Sequence, residues 1–108
     1  MTKILITVLG AIGIGLLAAP VAAADEDGFI AAIESLDYYS TVYPQDTISV
    51  GYRVCGAFAR GGDTAAIAEV LRTYNGPGQS NPEYYATLFA QYSAYELCPQ
   101  HSGEIGQI

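Results

Sequence analysis

The sequence predicts an all-α fold: a small bundle of about four short helices with one intramolecular disulfide, preceded by a cleavable signal peptide. Three observations carry that prediction. Apolar residues recur at helical spacing between residues 25 and 99. Capping residues, glycines and prolines punctuate those runs where helices start and stop. Both cysteines, Cys55 and Cys98, lie beyond an N-terminal export signal.

That signal occupies residues 1–24. Lys3 supplies a positive start, the run Ile4 to Ala19 is uncharged and apolar, and Pro20 breaks it. Ala22 and Ala24 then offer the small side chains a signal peptidase requires, so cleavage is expected between Ala24 and Asp25. The rival reading is an uncleaved anchor, because the uncharged stretch from Ile4 to Ala24 is long enough to span a hydrocarbon core. Gly10, Gly13, Gly15 and Pro20 interrupt it, and acid follows the cleavage site at once, which favours release. No cysteine stands near that site to take a lipid. The expected location is therefore secreted, either extracellular or in the cell envelope, with no stable membrane insertion after cleavage.

The formal net charge is −7, and loss of Lys3 makes it one unit more negative, leaving Arg53, Arg60 and Arg72 as the basic side chains. Such a surface repels phosphate backbones and anionic headgroups, so nucleic-acid binding is not expected. A single domain this small builds a modest core and gains from a covalent staple. In an oxidising compartment, Cys55 and Cys98 are expected to supply it. A metal site or a reactive thiol would need ligands or cationic neighbours that the sequence does not offer.

The first helix is expected from Asp25 to Leu36, with Phe29, Ile30, Ile33 and Leu36 forming one stripe. Asp25, Glu26 and Asp27 cap its free amides and oppose its dipole. Periodicity fails from Asp37 to Asp46, and Pro44 marks a connection. Thr47 to Arg60 is ambiguous. Ile48, Val50, Tyr52 and Val54 alternate as in a strand, while Ile48, Gly51, Cys55 and Phe58 make a helical stripe. Its length, the Gly61-Gly62 stop and the lack of a strand partner favour a helix.

Asp63 is the expected cap of a third helix, carried by Ile67, Val70, Leu71 and Tyr74 and closed by Asn75-Gly76. Asn81-Pro82-Glu83 starts the fourth, with Tyr85, Leu88, Phe89 and Tyr92 at helical spacing up to Cys98-Pro99. Residues 100–108 are expected to be a flexible tail.

The order Asp27-x-Phe29-Ile30-x-x-Ile33, Gly51-x-x-Val54-Cys55, Gly61 and Tyr95-x-x-Cys98-Pro99 resembles a family of small secreted proteins of mycobacteria and other actinobacteria. That family is catalogued as domain of unknown function 732. The resemblance spans roughly Asp25 to Pro99 and implies helices bridged by Cys55 and Cys98. One departure is Leu97, which stands where the family often has an aromatic residue. The family carries no known reaction, so no catalytic residue transfers from it.

Signals for chemistry are thin. The lone histidine, His101, falls in the expected tail and is read as a solvated side chain. Phosphate loops, nucleophile elbows and Cys-x-x-Cys pairs are absent from the sequence. Asp25-Glu26-Asp27-Gly28 fails as a calcium loop, because Leu36 stands where the bidentate glutamate is needed. Glu34, Glu69, Glu83 and Glu96 are read as solvated helix faces. Tyr92-x-x-x-Glu96 fits a loose export pattern, but Tyr92 lies on the core stripe.

Tyrosine is the one compositional excess, with 9 in the protein and no tryptophan. Tyr74, Tyr85 and Tyr92 are expected in the core and Tyr52 at its edge. Tyr38, Tyr39 and Tyr43 cluster in the irregular connection and are the candidate partner contact. The expected function is a non-enzymatic binding domain, without cofactor or metal, acting on an unknown envelope or extracellular partner. The alternative is a carrier holding a small apolar ligand, lipid or haem, between its helices.

Overall fold

A computed structural model describes residues 24–104 of the protein. The expected signal peptide, Ala22 included, lies outside these residues apart from Ala24, as do residues 105–108 of the expected tail. Helix α1 spans Glu26–Ser35, α2 spans Pro44–Thr73 and α3 spans Pro82–Glu96, followed by a 3-10 helix over Pro99–Glu104. Among the described residues there is no strand. Helix α2 is two arms joined at a kink, since Gly61 and Gly62 leave helical geometry inside it. Among the described residues, four α-helical rods therefore stand where four were expected.

Asp25 caps α1 as its sequence position requires, accepting a hydrogen bond from the Gly28 amide at 2.8 Å. Phe29 and Ile33 then point inward and are fully buried. The helix stops at Leu36, and Asp37 follows with φ of 51°, a conformation that short polar residues tolerate best.

Helix α2 starts three residues earlier than expected, at Pro44. Proline suits the first helical position because its fixed φ fits there and its missing amide would have had no partner. Exposure decides the strand-or-helix ambiguity. A strand would bury Tyr52 with Ile48, Val50 and Val54, yet Tyr52 is 41% exposed, while Val54, Ala57 and Phe58 are buried at helical spacing. Gly62 has φ of 73°, the left-handed region that only glycine enters freely, and this turns the backbone between the arms. The break is confined to the two glycines, and Asp63, expected as the cap, already lies in the helical run.

Helix α3 opens at Pro82 as expected, although Asn81 makes no capping bond and takes a left-handed conformation. Its innermost residues are small apart from Phe89: Ala86, Ala90, Ser93 and Ala94. Small side chains let α2 and α3 approach closely, and Phe29 meets Phe89 edge-on at 5.5 Å. Gly51 serves the same purpose on α2. A Cβ there would lie 2.5 Å from Leu97 Cδ1 and 2.9 Å from Phe29 Cζ. Leu97 is thus a core residue, only 5% exposed, filling the place where an aromatic was expected from the family pattern.

Cys55 on the first arm of α2 is bonded to Cys98, just past α3, with their Cα atoms 6.0 Å apart. The segment beyond this staple corrects one expectation. Residues 99–104 are a 3-10 helix and not a flexible tail. The His101 amide bonds to the Cys98 carbonyl at 2.9 Å, and its ring stacks on Phe58 at 5.7 Å and 10°. The disulfide fixes the start of this turn, and aromatic contact holds the rest. His101 is accordingly part-buried, with Nδ1 2.6 Å from Glu104 Oε2.

Candidate binding surface

The connection from α1 to α2 does not present Tyr38, Tyr39 and Tyr43 on one surface. Tyr39 is a core residue, 8% exposed, lying 5.1 Å from Phe89 and 4.7 Å from Tyr74 between ring centres. Tyr38 stacks flat on Tyr85 of α3 at 3.9 Å and 12°. The spacing rule failed because a loop that lacks helical period can still fold its rings inward when facing helices offer aromatic partners. Of the three, Tyr43 alone is exposed, at 73%, beside the exposed Val42 at the start of α2.

Burial has chemical consequences for these phenols. Desolvation, aided by the neighbouring Tyr38 and Tyr74 phenols, pushes Tyr39 far above the ordinary phenol range. Tyr74 is also raised, mainly by burial. Both remain protonated near neutral pH and cannot supply a phenolate. Tyr38 Oη is buried without a hydrogen-bond partner among the described residues. Tyr52, at the core edge as expected, donates to Glu26 Oε2 at 2.8 Å.

The C-terminal end of α2 and the start of α3 leave a hollow of about 620 Å³ beside Leu71, Asn81, Pro82 and Tyr84. A second hollow, about 230 Å³, continues past Leu71 along Tyr74, Asn75 and Gln79. Both share Leu71 and Pro82, so they form one open groove. Tyr84 stands half-exposed at its edge and contacts Tyr85 at 5.1 Å. Its lining is apolar or amide-bearing, with Glu83 the one charged residue. None of the three tyrosines expected as a partner contact, Tyr38, Tyr39 and Tyr43, lines this groove.

A different cluster escaped the sequence reading altogether. Glu69, expected on a solvated face, is 5% exposed. It accepts from Arg53 Nε at 3.1 Å and pairs with Arg72. Arg53 also donates to Thr73 Oγ1 at 3.1 Å, and Thr73 Oγ1 donates back to the Glu69 carbonyl at 2.9 Å. Burial alone would raise the Glu69 carboxyl, but the two guanidiniums outweigh it and hold it below the usual range. Arg53 lies on the first arm and Glu69 on the second, so the cluster spans the kink. The available signal was scarcity: two of the protein's three arginines meet one acid.

Glu34 accepts from Thr41 on the surface, and Glu83 is exposed as expected. Glu96 lies near the α1 cap, where its carbonyl accepts the Asp25 amide at 2.7 Å. Among the described residues no three His, Cys, Asp or Glu side chains gather to hold a metal ion. None of the described helices is long and apolar enough to cross a membrane.

The family model for "Protein of unknown function (DUF732)" matches residues 24–100. The chain belongs to the DUF732 family. No curated protein and no solved structure matches it. The DUF732 span begins at Ala24, runs through the whole groove and reaches past Cys98. Every structural part described above except the end of the 3-10 helix therefore belongs to the family domain.

Proposed function

We propose that this DUF732 protein is an exported, non-enzymatic domain that binds a partner in the cell envelope or outside the cell. The contact is the groove at Leu71, edged by Tyr84. The observation carrying this reading is an amide-rich groove with Glu83 as its one charged lining residue and a half-exposed tyrosine, Tyr84, at its edge, on a protein whose other tyrosines mostly face inward. Carboxamides at Asn75, Gln79 and Asn81 can exchange hydrogen bonds with a peptide backbone, while Tyr84 and Pro82 offer apolar contact. A peptide segment of a protein partner fits that chemistry.

The groups with unusual environments support binding over catalysis. The Glu69 carboxylate is occupied by two guanidiniums, and the Tyr39 phenol is held protonated inside the core. Neither is poised to move a proton at a surface. Carriage of lipid or haem is the weaker reading. The space between the helices is taken by Phe29, Ile33, Val54 and Phe89, and a protonated Tyr39 is a poor iron ligand. Purified protein is expected to give no Soret shift with haem and no lipid adduct in native mass spectra.

Envelope cross-linking of cells expressing the native protein, Tyr84→Ala and Tyr43→Ala tests the contact. Loss of a cross-linked product with Tyr84→Ala supports the groove. Loss with Tyr43→Ala alone moves the contact to the Val42-Tyr43 loop, and an unchanged pattern in both variants rejects the assignment.

A further inference from the structure

Asparagine followed by glycine is chemically labile when the glycine amide can reach the asparagine side chain, and this protein has one such pair. Asn75 and Gly76 lie in the connection between α2 and α3, outside any helix, and both are exposed. The Gly76 amide donates no hydrogen bond among the described residues, so its nitrogen is not committed elsewhere. Apart from its two chain neighbours, no atom lies within 4 Å of the position a Gly76 Cβ would take, so no other part of the fold crowds this stretch. We propose that Asn75 is a site of spontaneous deamidation that turns a neutral stretch of the groove anionic as the exported protein ages.

The chemistry is complete with water alone. The Gly76 backbone nitrogen attacks Asn75 Cγ, forming a C–N bond and closing a five-membered imide. The bond from Asn75 Cγ to Nδ2 breaks, and the amide nitrogen leaves as ammonia, taking up the proton released from Gly76 nitrogen. Water then opens the imide at either carbonyl, leaving aspartate or isoaspartate at position 75. No electrons change hands. The product carries a carboxylate where an amide stood.

The rest of the molecule supplies internal controls. Asn81 precedes Pro82, whose nitrogen bears no hydrogen and cannot close the ring. Asp27-Gly28 has the same small partner, but the Gly28 amide lies in the first turn of α1 and is held by Asp25 Oδ1 at 2.8 Å. Only at Asn75 do lability and access coincide. The consequence falls on the groove, since the hollow lined by Leu71, Tyr74, Asn75 and Gln79 carries no ionised side chain before the change. The modification stands independently of what occupies the groove.

The disulfide-bonded protein incubated in ¹⁸O-labelled water at mildly alkaline pH, then mapped by peptide mass spectrometry, provides the test. The expected result is conversion at Asn75 with one heavy oxygen incorporated, isoaspartate among the products, and an unchanged Asn81. Gly76→Ala, which has room for its methyl group, should slow conversion on the order of tenfold by hindering attack of the imide-forming nitrogen. A parallel sample of the reduced, denatured protein needs no variant. Conversion of the folded protein within about tenfold of the denatured rate supports an open loop, since exposed connections move freely. An intact Asn75 in the folded protein after the denatured sample has converted would overturn the proposal. Equal rates in Gly76→Ala and the native protein would overturn it as well.

Discussion

Replacing Glu69 by glutamine should loosen the kinked helix α2, and the size of the effect follows from how the cluster is placed. The carboxylate is nearly covered, but Arg53 and Arg72 keep 53% and 70% of their side chains exposed. Breaking a deeply buried ion pair costs about 3–5 kcal/mol because one charge is stranded without water. Here the stranded charges are guanidiniums that water already reaches, so most of that penalty disappears. What is lost is the charge assistance on two hydrogen bonds, each worth about 1.5–3 kcal/mol when shielded and less when exposed. A cost of about 1–2 kcal/mol remains, or a fall in Tm of roughly 4–15 °C for a domain of this size. Since the carboxyl is held below its ordinary 4.5 in the folded protein, its contribution is present above that value and fades as pH falls through the folded pKa. Urea denaturation of the native protein and Glu69→Gln should therefore give separated midpoints at neutral pH that converge in acid. Identical midpoints at neutral pH, or a gap that persists undiminished near pH 3, would refute the brace.

Three further perturbations probe the core. Converting both Cys55 and Cys98 to alanine should cost about 4 kcal/mol for a closed loop of this length, read as the midpoint difference between the variant and the oxidised protein. Gly51→Ala should destabilise by about 1–3 kcal/mol in thermal melts, because its methyl group meets Phe29 and Leu97. The added Leu97→Ala change should recover part of that loss. Tyr38→Phe should leave stability unchanged or raise it by up to about 1 kcal/mol, since the hydroxyl it removes is buried without a partner.

Local signals reported the helices well and the site poorly, for related reasons. Asp25, Gly61-Gly62 and Pro82 mark helix ends because capping and φ preference act within a few residues. Pro44 carried the same information, but its neighbours lack an apolar stripe, so the added turn of α2 was invisible to periodicity. The fate of Tyr38 and Tyr39 depends on Tyr85, Tyr74 and Phe89, residues far along the sequence, and loop composition cannot report such pairings. The same holds for His101, whose ring partner Phe58 lies far earlier in the sequence. Glu69 and Arg53 are neighbours only because the two glycines fold one arm of α2 back toward the other.

The residues that carry the resemblance to DUF732 are almost all structural, and this bears on where function resides. Phe29 and Ile33 fill the core, Val54 is fully buried, and Gly51 admits Leu97 to its place. Gly61 lies in the break of α2, and Cys55 with Cys98 closes the bundle. Even Tyr95, an exposed member of the pattern, accepts a hydrogen bond from Gln91 one turn earlier in its own helix. A signature of this kind specifies a scaffold, and a scaffold is compatible with many partners. The groove is built differently. Leu71, Asn75, Gln79, Asn81 and Tyr84 belong to helix ends and a connection that the pattern leaves unspecified. Leu71 packs against the core, but changes at the exposed Asn75, Asn81 and Tyr84 cost little stability, because these side chains face solvent. On the proposed reading, substitutions at Tyr84 and its neighbours change binding while Gly51, Cys55 and Cys98 hold the helices in place. Exchanging residues 75–84 between two DUF732 proteins should transfer binding with the segment, whereas exchange of the Gly51–Cys55 turn should alter stability alone.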